Sequence, residues 1–305
     1  MQTRSMGPGA GWRWLARAVD LGRHNPKALF GAAILLMLVA LVPSVLQQGA
    51  MLLLGVDDAQ TAISIGLVTT AAMIIVFPLL IAGFLRVIDA AENGRPTRAT
   101  ALFDTFRAGA GRGRIIGTGL LLMLVYIALL AVVLLLFGRE VAAWYWEVLS
   151  LVQSATPENP PQMPPLPEGI GRVAGLMLLV MMISGGLYAI GFGQVALGGR
   201  NAVGALSDAV SGTLKNVLPL LVLTVVGLVA LLLASIALAL LGGLLMLLGG
   251  LVNPMLGVAL AVPVYLAFMV IVYVVMFGVM YFIWRDVCGP ETTAAPVVRD
   301  DHFAA

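Results

Sequence analysis

Charge is what this sequence has least of. Of 305 residues only 10% are Asp, Glu, Lys or Arg, while 61% are hydrophobic. Soluble domains carry about 25% charged residues, so this chain cannot cover a water-facing surface, and a soluble globular protein is excluded. Cysteine is nearly absent: Cys288 is the only one, which rules out an internal disulfide. The two histidines, His24 and His302, sit in the terminal segments and form no metal-ligand spacing. No paired carboxylates stand in a recognisable motif, and no nucleophile has a base at fixed spacing. The expectation is therefore no catalytic residue, no cofactor, no metal and no nucleic-acid partner. Ionisable side chains are missing from the centre of every apolar run. That removes the usual marker of a proton or ion path.

What the chain does have is long apolar runs, and the mean hydropathy is +1.04. A spanning helix needs about 20 mostly apolar residues. Six runs qualify, at 28–48, 62–86, 115–137, 173–196, 217–240 and 258–284. The predicted fold is all-α, a polytopic transmembrane helical bundle. Residues 1–10 are expected as a disordered N-terminal tail, 11–286 as the transmembrane domain, and 287–305 as a disordered C-terminal tail. The basic start resembles a signal-peptide n-region, but the run after Lys27 is long and lacks a small-residue cleavage site, so it reads as a retained span. No charge falls between Lys215 and Arg285, and 217–284 could hold two or three membrane segments. The paired glycines and Asn253-Pro254 of LLGGLLMLLGGLVNP (240–254) predict a turn between two.

The basic residues are unevenly placed. With six spans, fifteen of the 17 Lys and Arg fall on the side that holds both termini, and only Arg139 and Arg172 on the other. By the positive-inside bias the terminal side is cytoplasmic, and 138–172 becomes a periplasmic loop. That loop begins with WYWEVLSLV (144–152), a predicted interfacial helix. TPENPPQMPPLPEG follows, whose six prolines favour an extended conformation. It is either a stiff spacer or a docking strap.

Three cytoplasmic segments align without gaps: LARAVDLGRHN (15–25), LFDTFRAGAGR (102–112) and LSDAVSGTLKN (206–216). Each is amphipathic at helical spacing and precedes spans 1, 3 and 5. The predicted unit is an interfacial helix plus a two-helix hairpin, repeated three times. GWRWLARAVDLGRHNP (11–26) and AAENGRPTRATALFDTFRAG (90–109) resemble a family of proteobacterial six-span inner-membrane proteins. That family has a Gly-Trp-x-Trp amphipathic start and an Ala-Ala-Glu-x-Gly-x-Pro connector. The chain is also loosely similar to the membrane domains attached to some glycerophosphodiester phosphodiesterases, though no such catalytic domain is present in this sequence. The resemblance implies a bacterial inner membrane and no particular activity.

Several residues are candidates for function. Gly109, Gly111 and Gly113 suggest a phosphate loop, but their spacing misses the dinucleotide fingerprint and no Gly-Lys-Ser/Thr occurs. Arg107, Arg112 and Arg114 could instead contact an anionic lipid headgroup on the cytoplasmic face, or simply form a basic hinge. Arg86 and Asp89, one helical turn apart, read as a solvated i, i+3 pair. Gly185, Ala189 and Gly193 make a small-xxx-small row, a predicted helix-packing face for a membrane-protein partner, a second copy, or the bundle itself. Two functions follow. The leading one is a non-enzymatic membrane scaffold or accessory subunit. The other is a transporter or channel for a neutral, apolar or lipid-like substrate. A polar cavity lined by Thr69, Thr118, Gln194 and Tyr265 would favour transport, whereas an exposed apolar groove would favour the scaffold.

Overall fold

The computed structural model of the protein describes residues 3–23, 25–54, 59–153 and 163–290. Nine α-helices and no strand occur among them. They are α1 (Ala10–Asp20), α2 (Pro26–Leu54), α3 (Ala59–Glu92), α4 (Arg112–Phe137), α5 (Arg139–Gln153), α6 (Ile170–Ala196), α7 (Ala202–Lys215), α8 (Val217–Gly250) and α9 (Pro254–Val287). Six of these, α2, α3, α4, α6, α8 and α9, are long and apolar enough to cross a membrane. The all-α transmembrane bundle is what the apolar runs predict.

Helices α8 and α9 are each 34 residues, or about 50 Å at 1.5 Å per residue. The turn between them is confined to residues 251–253, and Gly242, Gly243, Gly249 and Gly250 are all helical. The paired glycines thus do not end the helix, because in an apolar medium an open backbone has no water to satisfy it. Only Gly249 marks a close crossing, since Gly242, Gly243 and Gly250 have no neighbour within 4 Å of a Cβ position. A Cβ on Gly249 would lie 2.5 Å from the Gly257 Cα. The true break is local chemistry, where Asn253 Oδ1 accepts from the Met255 amide at 2.8 Å and Pro254 opens α9. Proline tolerates the first helical turn because its missing N–H would be unpaired there anyway.

The topology closes on itself in three parts. The hairpins α2–α3, α4–α6 and α8–α9 each pair internally, and α3, α6 and α9 also touch one another at the centre. Each short segment that leads into a hairpin lies across the preceding hairpin. The 3-10 segment Ala99–Phe106 packs on α2 and α3, α7 packs on α4 and α6, and α1 packs on α8 and α9. The first unit thereby completes the ring with the last. All three lead-in segments occur where the sequence alignment puts them, and the structure adds two details. The middle one is 3-10 rather than α, and α7 reverses its expected face: it buries Ala205, Asp208, Ala209, Gly212 and Thr213 against the bundle, while Val203, Val210 and Leu214 are exposed. Trp14 and Ala18 of α1 and Leu21 just after it are buried, whereas Val19 is 64% exposed.

The first residues differ from the predicted disorder. Residues 3–6 run as a strap between the start of α8 and the end of α9. The Met6 amide donates to Asn216 Oδ1 at 2.7 Å, and Asn216 Nδ2 donates to the Arg4 carbonyl at 2.9 Å. The Arg4 guanidinium donates to the carbonyls of Asp286, Arg285 and Gly289 at 2.7–2.9 Å. A helix ends in carbonyls with no intrahelical partner and carries partial negative charge there, so a cation in that position satisfies and stabilises it. Of the predicted C-terminal tail, α9 continues to Val287 and Cys288–Pro290 follow, while 291–305 lie outside the described residues. The expected interfacial helix at 144–152 is part of α5, where Tyr145 and Trp146 are exposed. Of the proline-rich strap, 154–162 lie outside the described residues as well.

Burial concentrates at the end of the bundle that carries the termini and the basic residues, called the basic end below. Trp14, Leu29, Leu80, Phe84, Leu102 and Ile190 are fully enclosed there. Helix α8, by contrast, buries only Pro219, Leu220 and Gly249.

Candidate functional site

Two features stand out. One is a polar belt across the basic end, and the other is an apolar groove at membrane depth.

The belt joins the ends of the three central helices. Asp208 of α7 accepts from Gln194 Nε2 of α6 at 2.6 Å and from Arg200 at 2.8 and 3.2 Å. Gln194 in turn accepts from Trp284 Nε1 of α9 at 3.3 Å. Asp89 of α3 is paired with Arg95 and accepts from the Tyr281 hydroxyl at 3.1 Å. Asp286 is paired with Arg17 and accepts from Trp14 Nε1 at 2.9 Å, which pins α1 onto α9. Every one of these carboxylates has an arginine and at least one neutral donor. An ion pair this close to the apolar region holds only when its remaining lone pairs are satisfied too. Cys288 lies beside the belt, buried, and burial pushes its thiol up to about 11. It stays protonated at neutral pH and is a poor nucleophile.

The pair expected between Arg86 and Asp89 does not form. Arg86 donates instead to the carbonyls of Ala196 and Ala110, both at 3.1 Å, and so caps the end of α6. Helical spacing places the two side chains one turn apart, but tertiary carbonyls and Arg95 compete successfully for them. Nor do Arg107, Arg112 and Arg114 converge as a free cluster. Arg107 pairs with Asp104 at 3.2 Å, Arg112 reaches the Phe106 carbonyl at 3.4 Å, and Arg114 donates to the Gly199 carbonyl at 3.1 Å. The glycines between them act conformationally. Gly111 has φ +82° as the residue preceding α4, a left-handed geometry that a side chain disfavours.

The polar residues that would line a transport cavity are scattered. Thr69 and Thr118 donate to carbonyls of their own helices, Gln194 belongs to the belt, and Tyr265 is 53% exposed on α9. No group of three or more His, Cys, Asp or Glu able to hold a metal ion occurs among the described residues.

The groove is a cavity of about 760 Å³ between α6, α8 and α9, closed at the basic end by Leu15 and Val19 of α1. Gly185 of α6 and Gly227, Ala230 and Ala234 of α8 supply small residues, while Met276 and Met280 of α9 supply flexible walls. The predicted small-residue row divides at this point. Ala189 is buried, and a Cβ on Gly193 would lie 2.1 Å from Trp284 Cγ. Gly185, two turns away on α6, opens into the groove with no atom within 4 Å of where a Cβ would stand. The groove itself was not legible in the sequence, because its walls come from five helices far apart in the chain.

Comparison with protein-family models, curated proteins and solved structures finds no match. Function therefore rests on the geometry.

Proposed function

We propose that this protein is a non-enzymatic scaffold or accessory subunit of the bacterial inner membrane, and that its groove receives a transmembrane helix of a partner membrane protein. One observation carries the reading. The groove combines a membrane-depth apolar lining with positions where the wall is cut back to the backbone. A Cβ on Gly185 or Gly227 would meet nothing within 4 Å. Small residues let a second helix approach closely enough for dispersion and weak Cα–H contacts to hold it. An acyl chain needs no such floor. The methionine walls adapt to an irregular partner surface. The absence of Thr69, Thr118, Gln194 and Tyr265 from the groove's lining favours this reading over transport.

A photo-crosslinking residue at Gly227, introduced in growing cells, is expected to trap one discrete membrane protein. Gly227→Leu places its Cβ in open space and its branched end in the groove, so it should leave the fold intact and abolish the adduct. Crosslinks to lipid alone would count against a helix occupant. Movement of lipid or solute across vesicles by the reconstituted protein, above an empty-vesicle control, would sink the scaffold reading.

The same proposal sets the basic end and both termini in the cytoplasm, supported by the fifteen-to-two distribution of Lys and Arg. A reporter fused after Ala305 should be active in its cytoplasmic form only. Periplasmic activity would overturn this orientation.

A further inference from the structure

A second cavity, of about 480 Å³, lies at the basic end, between the end of α3, the connector 96–98 and the 3-10 segment. We propose that it binds a phosphate group, carried either by a lipid headgroup or by free phosphate, with Arg86 and Arg98 as its ligands.

Positive charge in the cavity exceeds the negative charge available to offset it. Arg86 forms one wall and Arg98 another. A guanidinium has five N–H donors, and Arg86 commits two of its nitrogens to the carbonyls of Ala196 and Ala110. Carbonyls accept hydrogen bonds but neutralise no charge, and no carboxylate lies within ion-pair distance of Arg86 among the described residues. The cavity's one acid, Asp104, is paired with Arg107 at 3.2 Å. The Arg98 side chain has neither a hydrogen bond nor an ion pair with any described residue, although it lies 12 residues past a half-buried Arg86 on the same cavity wall. Outside the cavity lining, the Nε of Arg114 is also buried with no partner.

Two guanidiniums lining one cavity, Arg86 half-buried and Arg98 exposed, with no carboxylate free to pair with them, call for an anion. Planar guanidinium forks suit a tetrahedral, multiply accepting oxyanion, and charge-assisted bonds to it are roughly twice as strong as neutral ones. Thr97 also lines the cavity. The volume suits a headgroup-sized phosphate better than a lone carboxylate. These ligands differ from the three arginines of the connector, which do not line the cavity and each contact Asp104, Phe106 or Gly199.

The test uses the purified full chain in neutral detergent. It is titrated separately with short-chain phosphatidylglycerol, inorganic phosphate and phosphate-free diacylglycerol. At least one phosphate probe is expected to bind saturably and one to one, and diacylglycerol is expected not to bind. Arg98→Gln should weaken that binding about tenfold, the loss of one charge-assisted hydrogen-bond set. It should leave the fold unchanged, because its side chain holds nothing in place. Arg112→Gln, outside the cavity, should change the affinity by less than about twofold. Binding of phosphatidylglycerol but not inorganic phosphate assigns a lipid headgroup, and the reverse assigns free phosphate. Either outcome supports the site. No saturable phosphate binding, an unaltered Arg98→Gln variant, or an equal loss in Arg112→Gln overturns it.

Discussion

Replacing Asp208 with alanine is expected to destabilise the folded bundle by about 2–3 kcal/mol. The Asp208 side chain is 10% exposed and takes hydrogen bonds from both Gln194 and Arg200. Removing one partner of a buried ion pair costs about 3–5 kcal/mol, because the surviving charge keeps its desolvation penalty and loses its compensation. Arg200 is 38% exposed, so water recovers part of that loss, which sets the lower figure. The effect should also spread. Gln194 would lose its acceptor, and Trp284 hydrogen-bonds to the same amide, so the contact between α6 and α9 would loosen with the docking of α7. Asp208→Asn keeps the volume and one acceptor and should cost about half as much. Equilibrium unfolding in mixed micelles checks this. Equal midpoints for wild type and Asp208→Ala would show that the belt contributes nothing to stability.

The second large effect comes from a single methyl group. Gly83→Ala would place a Cβ 2.0 Å from the Leu102 carbonyl oxygen and 2.9 Å from its carbonyl carbon. Flexible side chains can give way, but this neighbour is backbone, held where Leu102 is fully buried and Thr105 Oγ1 donates to the Leu79 carbonyl at 2.9 Å. Overpacking usually costs about 1–3 kcal/mol, and a clash with fixed backbone belongs at the top of that range. The segment 99–106 should detach from α2 and α3 before the spans separate. Tryptic cleavage after Arg98 or Arg107 should therefore quicken about a hundredfold, the factor that about 3 kcal/mol gives when cleavage follows local opening. Gly113→Ala, where nothing lies within 4 Å, is the matched control and should cleave at the wild-type rate. An unaltered rate in Gly83→Ala would mean that the segment is not held by this contact.

Much of the architecture follows from local properties of the chain. Six apolar runs became six helices because a spanning backbone must satisfy its own hydrogen bonds within the segment. The recurrence of Leu15–Asn25, Leu102–Arg112 and Leu206–Asn216 was legible for a similar reason, since each must turn an apolar face somewhere before the chain enters the bilayer. Where the reading failed, the deciding partner was distant. Gly242-Gly243 looked like a break, yet a glycine inside an apolar run costs less than leaving backbone groups unpaired. Arg86 and Asp89 looked like a pair, yet Ala110, Ala196 and Arg95 were better placed. The strap at residues 3–6 gives no periodic signal at all. It is ordered because Asn216 and the carbonyls ending α9 lie where it passes.

Hydropathy, the placement of Lys and Arg, and the threefold recurrence are properties of neighbouring residues, and they sufficed for the span count, the all-α class and the predicted sidedness. Which face of each lead-in segment turns inward, which arginines keep an uncompensated charge, and where α6 leaves α9 to open a groove depend on residues up to 272 positions apart. Those features arise because three hairpins must pack around α3, α6 and α9 while the ends of α6 and α9 each take an arginine from another unit. That competition is settled only when all the units are assembled, so it left no mark on any single stretch of the chain.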